Sequence, residues 1–255
     1  MVNFSKNFDL NEIEKKIENG KYSYAIREIS REINSDSENS VLFFLRAVAR
    51  GGVKDFEGKI HDLDIAINLD PSNANYFHMR GLTNSQLGNY ENALKDYDIA
   101  INLDPSNARY FCYRGLTNNQ LGNYENALND YDIAINLDPS NADCFHMRGL
   151  CKSNLGNAKD AIHDLDIAIN LDPNNADHFH VRGVYKSNLG NDKDAIHDLD
   201  IAINLDPSNA NYYSDRGADK SNLGDYNGAK NDYEQALKID SLHEIAKQNL
   251  SNLNE

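Results

Sequence analysis

The sequence predicts an all-α protein, an α-solenoid of stacked antiparallel helix pairs, and three observations predict it. The first is a fixed period. PSNANYFHMRGLTNSQLGNYENALKDYDIAINLD fills residues 71–104 and PSNARYFCYRGLTNNQLGNYENALNDYDIAINLD follows at 105–138, a repeat of 34 residues. The second is that apolar residues inside each copy recur at three- and four-residue spacing, as on one face of a helix. The third is that helix breakers fall at constant places, a glycine near the middle of a copy and an Asp-Pro junction between copies.

Taken along the chain, the register gives seven units, 3–36, 37–70, 71–104, 105–138, 139–172, 173–206 and 207–240, and a tail at 241–255. In the first unit Gly20, Tyr22 and Ala25 stand where Gly88, Tyr90 and Ala93 stand in the third. The second unit, beginning at Ser37, is divergent and carries Lys59 where the small alanine belongs. The third shows the pattern best. Asn73 is expected to cap a first helix carrying Tyr76, Phe77, Arg80 and Gly81, which Gly88 closes through a positive φ. Asn89 is expected to cap a second helix with the apolar stripe Ala93, Leu94, Tyr97, Ala100 and Ile101. Pro105 then pushes Asp104 out of the α region and ends it. Gly81 and Ala93 let the two helices approach closely, and Ala100 admits the next unit. Such a hairpin cannot bury both sides alone and must stack on its neighbours. In the tail, Leu242, Ala246, Leu250 and Leu253 share one face and are expected to form a helix that caps the last unit.

Composition narrows the function classes. Lys plus Arg is 25 and Asp plus Glu is 40, a net charge of 25 − 40 = −15, unsuited to nucleic acid or an anionic membrane surface. The longest apolar run, near Val41 to Leu45, is far short of the roughly 20 residues of a membrane helix, and MVNFSKNFDL does not resemble a secretory leader. The expectation is a cytoplasmic protein without membrane insertion, whose three cysteines are unpaired thiols. Cys144 and Cys151, seven apart on one helix, lie about 10 Å apart at 1.5 Å rise per residue, too far to bridge.

With Gly81, Ala93, Tyr97, Ala100 and Pro105 and their counterparts in later units, the chain resembles the tetratricopeptide repeat family over residues 3–240. It departs from the family pattern at Arg80 before the glycine, at Asn84 three residues after it, and at Lys59. The resemblance implies a right-handed superhelix in which the first helix of each pair lines a concave groove that binds a peptide or partner helix. Carried onto this sequence, it assigns the groove to Asn75, His78, Leu82 and Gln86; to Arg109, Leu116, Asn119 and Gln120; to His146, Leu150 and Asn154; and to His180, Val184, Asn188 and Asn222. Units three and four differ at only five places, Asn75/Arg109, His78/Cys112, Met79/Tyr113, Ser85/Asn119 and Lys95/Asn129, and three of these are groove positions. Leu82, Leu116, Leu150 and Val184 form an expected apolar lane. Beside it, Gln86, Gln120, Asn154, Asn188 and Asn222 offer a donor and an acceptor each, able to pair with an extended peptide backbone. Asp143, Asp177 and Asp215 favour a basic segment near the C-terminal part. The Lys and Asn of family members that clamp a terminal carboxylate are replaced here by His78 and Leu82.

Two charged columns remain. Arg46, Arg80, Arg114, Arg148, Arg182 and Arg216 each stand 16 residues before an aspartate, Asp62, Asp96, Asp130, Asp164, Asp198 or Asp232. A guanidinium–carboxylate pair inside each unit is the expectation; a phosphate-binding row is the alternative. The columns of Asp96, Asp98 and Asp104 hold 18 of the 40 acids and read as a solubility feature. His78, His146 and His180 share a column, but stacked helices stand about 8–10 Å apart, too far for shared zinc, and His61, His163 and His197 form a surface column. No nucleophile motif, phosphate loop or acid/base pair is evident, so neither catalysis, metal nor cofactor is expected. The function read from the sequence is a non-catalytic protein-interaction scaffold; the second reading is a structural array that self-associates end to end.

Overall fold

The computed structural model describes residues 9–253. Residues 1–8, which hold the start of the expected first unit and most of the stretch tested for a leader, and the last two residues of the expected cap lie outside the described residues. Among the described residues there are 15 α-helices and no strand. The first helices of successive pairs are α1 (Leu10–Glu18), α3 (Ser40–Gly52), α5 (Ala74–Gln86), α7 (Ala108–Gln120), α9 (Ala142–Asn154), α11 (Ala176–Asn188) and α13 (Ala210–Asn222). The second helices are α2 (Tyr22–Ile33), α4 (Phe56–Leu69), α6 (Tyr90–Leu103), α8 (Tyr124–Leu137), α10 (Ala158–Leu171), α12 (Asp192–Leu205) and α14 (Tyr226–Ile239); α15 (Glu244–Asn252) follows. The chain divides into two compact units, Met1–Asn126 and Ala127–Glu255. None of the helices among the described residues is long and apolar enough to cross a membrane.

Local chemistry sets the helix ends. Asn39, Asn73, Asn107, Asn175 and Asn209 each accept, through the side chain, the backbone N–H two residues on, and so cap the first helices. Gly88, Gly122, Gly156, Gly190 and Gly224 close them at φ of 78, 76, 83, 77 and 82°. The second unit reaches the same conformation with Lys54, at φ 62°. The expected side-chain cap at Asn89 does not form. Asp55 and Asp225, at the same place in their units, do cap, accepting from Gly58 and Gly228; a carboxylate gains attraction to the helix N-terminus that an amide lacks. Before the prolines, Asp104 accepts from both the N–H and the hydroxyl of Ser106, as Asp206 does from Ser208.

In the compact unit Met1–Asn126, Ala25, Ile29, Leu42, Ala49, Ala66, Tyr76, Phe77, Ala100 and Tyr110 form one buried core. A methyl built on Gly81 would lie 2.9 Å from the Tyr97 ring and 3.2 Å from the Ala93 carbonyl, so only glycine allows α5 and α6 to close up. In the compact unit Ala127–Glu255, Ile169, Phe179, Ala202, Ile203 and Tyr212 pack together, and Ala210, Ala229, Tyr233, Ala236 and Ala246 form the core against α15. Leu250 and Leu253 join that core, but Leu242 is 73% exposed. It precedes the helix start at Glu244, so helical spacing does not place it on the packed face. Cys151 is a buried thiol.

Candidate functional site

The first helices are fixed by their arginines, and the geometry decides between the two readings of that column. Arg148 donates from Nε and Nη2 to the two oxygens of Asp164, at 2.9 and 2.7 Å, a fork on a fully buried carboxylate. Arg46–Asp62, Arg80–Asp96, Arg182–Asp198 and Arg216–Asp232 repeat it. Each guanidinium also stacks on the aromatic ring three residues before it, as Arg148 does on Phe145 at 5.5 Å. The remaining nitrogen points the other way along the chain. Arg80 Nη1 donates to Asp64 at 2.6 Å, and Arg114, Arg148, Arg182 and Arg216 reach Asp98, Asp132, Asp166 and Asp200. One arginine therefore ties its own second helix to the preceding one, and these side chains are not a phosphate row. The Asp98 column is in large part ion-paired, and the Asp104 column shapes the turns.

Asn84 donates to Asp96, and Lys152, Lys186 and Lys220 supply a second cation to Asp164, Asp198 and Asp232. The residues that replace the family's tyrosine thus serve the same buried carboxylates.

The expected wall residues divide into two groups. In the compact unit Met1–Asn126, Asn75, Gln86, Arg109 and Gln120 are exposed, and Leu82, Leu116 and Asn119 are half-buried. In the compact unit Ala127–Glu255, Asn154, Asn188 and Asn222 are exposed, and Leu150, Val184 and His180 are half-buried. The amides and the apolar positions therefore share an accessible face within each unit. His78 and His146 do not, being 7 and 8% exposed. They are packed between neighbouring first helices, which touch at a 32-residue separation: His146 Nδ1 meets His178 Nδ1 at 2.9 Å, and Ser85 meets Thr117 at 3.3 Å.

Burial holds the His146 imidazole down to about 4, with His178 adding to the effect, and burial lowers His178 as well. Both rings are thus neutral at pH 7. His178 Nε2 is buried without a partner. An orphaned acceptor costs less than an orphaned N–H, which favours His178 as the Nδ1–H donor in the pair. His180 Nε2 pairs with Asp215 at 2.7 Å, and the Tyr212 hydroxyl donates to Asp177 at 2.6 Å. Two of the three acids expected to face a partner are thus engaged internally. Among the described residues no cluster of three or more His, Cys, Asp or Glu could hold a metal ion.

Asp219, which sequence reasoning passed over, is 2% exposed. It accepts from the Ser187 hydroxyl, its Oδ2 has no partner, and burial pushes its carboxyl up to about 6. The signal was in the repeat register, where Thr83, Thr117, Cys151 and Tyr185 hold this place. An open pocket of 540 Å3 lies at the turns before α11 and α13, lined by Asp172, Asp177, Asp206, Asn209 and Tyr212 among others, and includes none of the expected wall residues.

Two family models match the sequence. One, described as TPR repeat, covers residues 85–122 and 119–156; the other, described as tetratricopeptide repeat, covers 142–175 and 220–241. No curated protein matches the chain. Among solved structures, a tetratricopeptide repeat protein from Parabacteroides merdae is similar over 96% of this chain and 97% of its own, at 18% identity and a TM-score of 0.74. A chain of the APC/C hetero-tetramer Cut9–Hcn1 is similar over 98% of this chain and 50% of its own, at 17% identity and a TM-score of 0.76. YrrB, described as a TPR protein with an unusual peptide-binding site, is similar over 70% of this chain and 92% of its own, at 23% identity and a TM-score of 0.56. At these identities the likeness is one of fold.

Proposed function

Because the chain belongs to the tetratricopeptide repeat family, we propose that it is a non-catalytic protein-interaction scaffold whose first-helix wall holds a peptide segment or a partner helix. The observation that carries this reading is the accessible pairing, repeated in both units, of a half-buried apolar side chain with an exposed amide one turn on. Leu82 and Gln86, Leu116 and Gln120, Leu150 and Asn154, and Val184 and Asn188 make the pairs. Apolar side chains of the partner rest on the aliphatic positions, at roughly 25 cal/mol per Å2 of area buried before the cost of association. The amides, carrying donor and acceptor together, fix the register of the partner backbone. That YrrB is described as having a peptide-binding site supports the same reading. The same proposal places the protein in the cytoplasm, which fractionation of the native cell tests, and gives it no nucleic-acid partner.

Pull-down from the native cell compares the unchanged chain with a Leu116→Glu, Gln120→Ala double variant. The variant is expected to keep its helical circular dichroism and lose the captured partner. Undiminished capture would move the site off this wall. A second reading, self-association, is favoured by Leu242 and Ile245, which stand 73 and 62% exposed at α15. A molar mass by light scattering that stays at 28.7 kDa across concentration removes it.

A further inference from the structure

Asp219 is an acid where the repeat elsewhere puts neutral side chains. Thr83, Thr117, Cys151 and Tyr185 hold its place in units three to six, and it is a place where neighbouring first helices meet. Between α5 and α7, Ser85 Oγ lies 3.3 Å from Thr117 Oγ1. Between α11 and α13, Ser187 Oγ donates to Asp219 Oδ1, so this contact closes on a carboxylate in place of a hydroxyl. That carboxylate is 2% exposed, and its Oδ2 is buried without a partner.

Among the described residues no cation answers it. Lys186 on α11 and Lys220, its neighbour on α13, are held at 2.8 Å by Asp198 and Asp232, and Arg182 and Arg216 are held by the same two acids. The other groups around it are acids or are already engaged. One turn back on α13, Asp215 pairs with His180 of α11 at 2.7 Å. One turn on, Asn222 donates to Asp192 of α12 at 3.0 Å. From α14, the Tyr233 phenol is held protonated by burial first, with Asp219 among the charges that add to it. His243, which caps α15, bonds Asn211 at the opposite end of α13. Burial pushes the Asp219 carboxyl up to about 6, with the Ser187 hydroxyl opposing the rise and Asp192 and Asp215 adding to it.

An ionised carboxylate can accept several hydrogen bonds and here finds one donor, so the closed joint disfavours the charge on geometry alone. Two relaxations are open to it: take up a proton, or let the helices part until water reaches Oδ2. We infer that the α11–α13 joint is a proton-operated latch, closed while Asp219 is neutral and opening when Asp219 ionises. In the closed form the proton sits on Oδ2 and Oδ1 keeps the Ser187 hydroxyl; the proton leaves to solvent as the joint opens. Val184 and Asn188 on α11 and Asn222 on α13 stand on the helices that the latch joins, so this strip of the first-helix wall changes with pH. That consequence rests on the wall as the binding face; the latch itself does not.

The test is hydrogen exchange of the full chain without a partner, read by mass spectrometry as protection factors between pH 5 and 7.5. With a closed-form value of about 6 and the ordinary carboxylate value once open, opening at residues 184–189 and 216–223 is expected to grow about tenfold over that range. The Ser85–Thr117 joint, which has two hydroxyls and no carboxylate, should keep constant protection. Asp219→Thr, the residue of units three and four, should remove the response while leaving His180 and Asp215 in place. Ser187→Ala, which deletes the one donor to the carboxylate, should move the midpoint to higher pH. Protection that does not change with pH, or a response that survives Asp219→Thr, would overturn the latch. Failure here is separable from failure of the wall: pH-blind exchange with capture still lost in the Leu116→Glu, Gln120→Ala variant removes the latch alone.

Discussion

Asp164 shows what one buried side chain carries in this array. It is fully buried between Arg148 and Lys152, so Asp164→Ala leaves two cations without their counter-charge and is expected to cost about 3 kcal/mol or more, read by urea denaturation. Asp219 is the opposite case. Its folded pKa of about 6 lies above the ordinary carboxylate value, so the protonated form suits the fold, and stability is lost as pH rises from about 4 through 6. Asp219→Thr, the residue of units three and four, keeps a hydroxyl facing Ser187 and is expected to stabilise by about 2 kcal/mol at pH 7, with the gain vanishing near pH 4. His146 titrates in the other sense. Its folded pKa of about 4 is below the ordinary value, so the neutral pair with His178 loses stability as pH falls from about 6.5 through 4. His178→Tyr, the residue of units three, four and seven, should flatten that acid limb. The Arg148–Asp164 type of pair was legible in the sequence because both columns recur with a 16-residue offset inside one unit. The opposite arm, to Asp132, was not, because it depends on the angle at which one hairpin stacks on the next. Nor was the burial of His78 and His146, which follows from the 32-residue contact between first helices.

Helix ends and crossings were the most readable elements, because their signals are local. Asn73 and Gly88 act as their residue types dictate. The exceptions follow from backbone and packing demands that the repeat exposes by comparison. Lys54 stands in a left-handed conformation where the later units have glycine, so Lys54→Gly is expected to raise stability by about 1 kcal/mol. At Gly217 an added methyl would meet the Tyr233 ring at 2.7 Å, and Gly217→Ala is expected to cost about 1–3 kcal/mol by forcing α13 away from α14. Thermal denaturation of the two variants should therefore move the midpoint in opposite directions. Leu242 marks where periodic reading stops, since it lies one residue before the capping position of α15 and helical spacing says nothing of its direction.

Across the molecule, the 34-residue repeat repeats a mechanical joint, the two-armed arginine, with little variation while the accessible first-helix face changes from unit to unit. The acids of those joints and of the turns make up much of the negative charge, and the accessible first-helix face carries aliphatic positions and amides. Fold and family were legible because they depend on period. The details of the wall were legible only in outline, because which column faces outward is decided by stacking. The most direct measurement is a photo-crosslinking scan in the native cell, with the crosslinker placed in turn at Leu116, Gln120, Leu150 and Asn154 on the first helices and at Lys95 and His163 on the second. Partner adducts at the first four sites and none at the last two are the predicted result. Adducts confined to Lys95 and His163 would contradict the account.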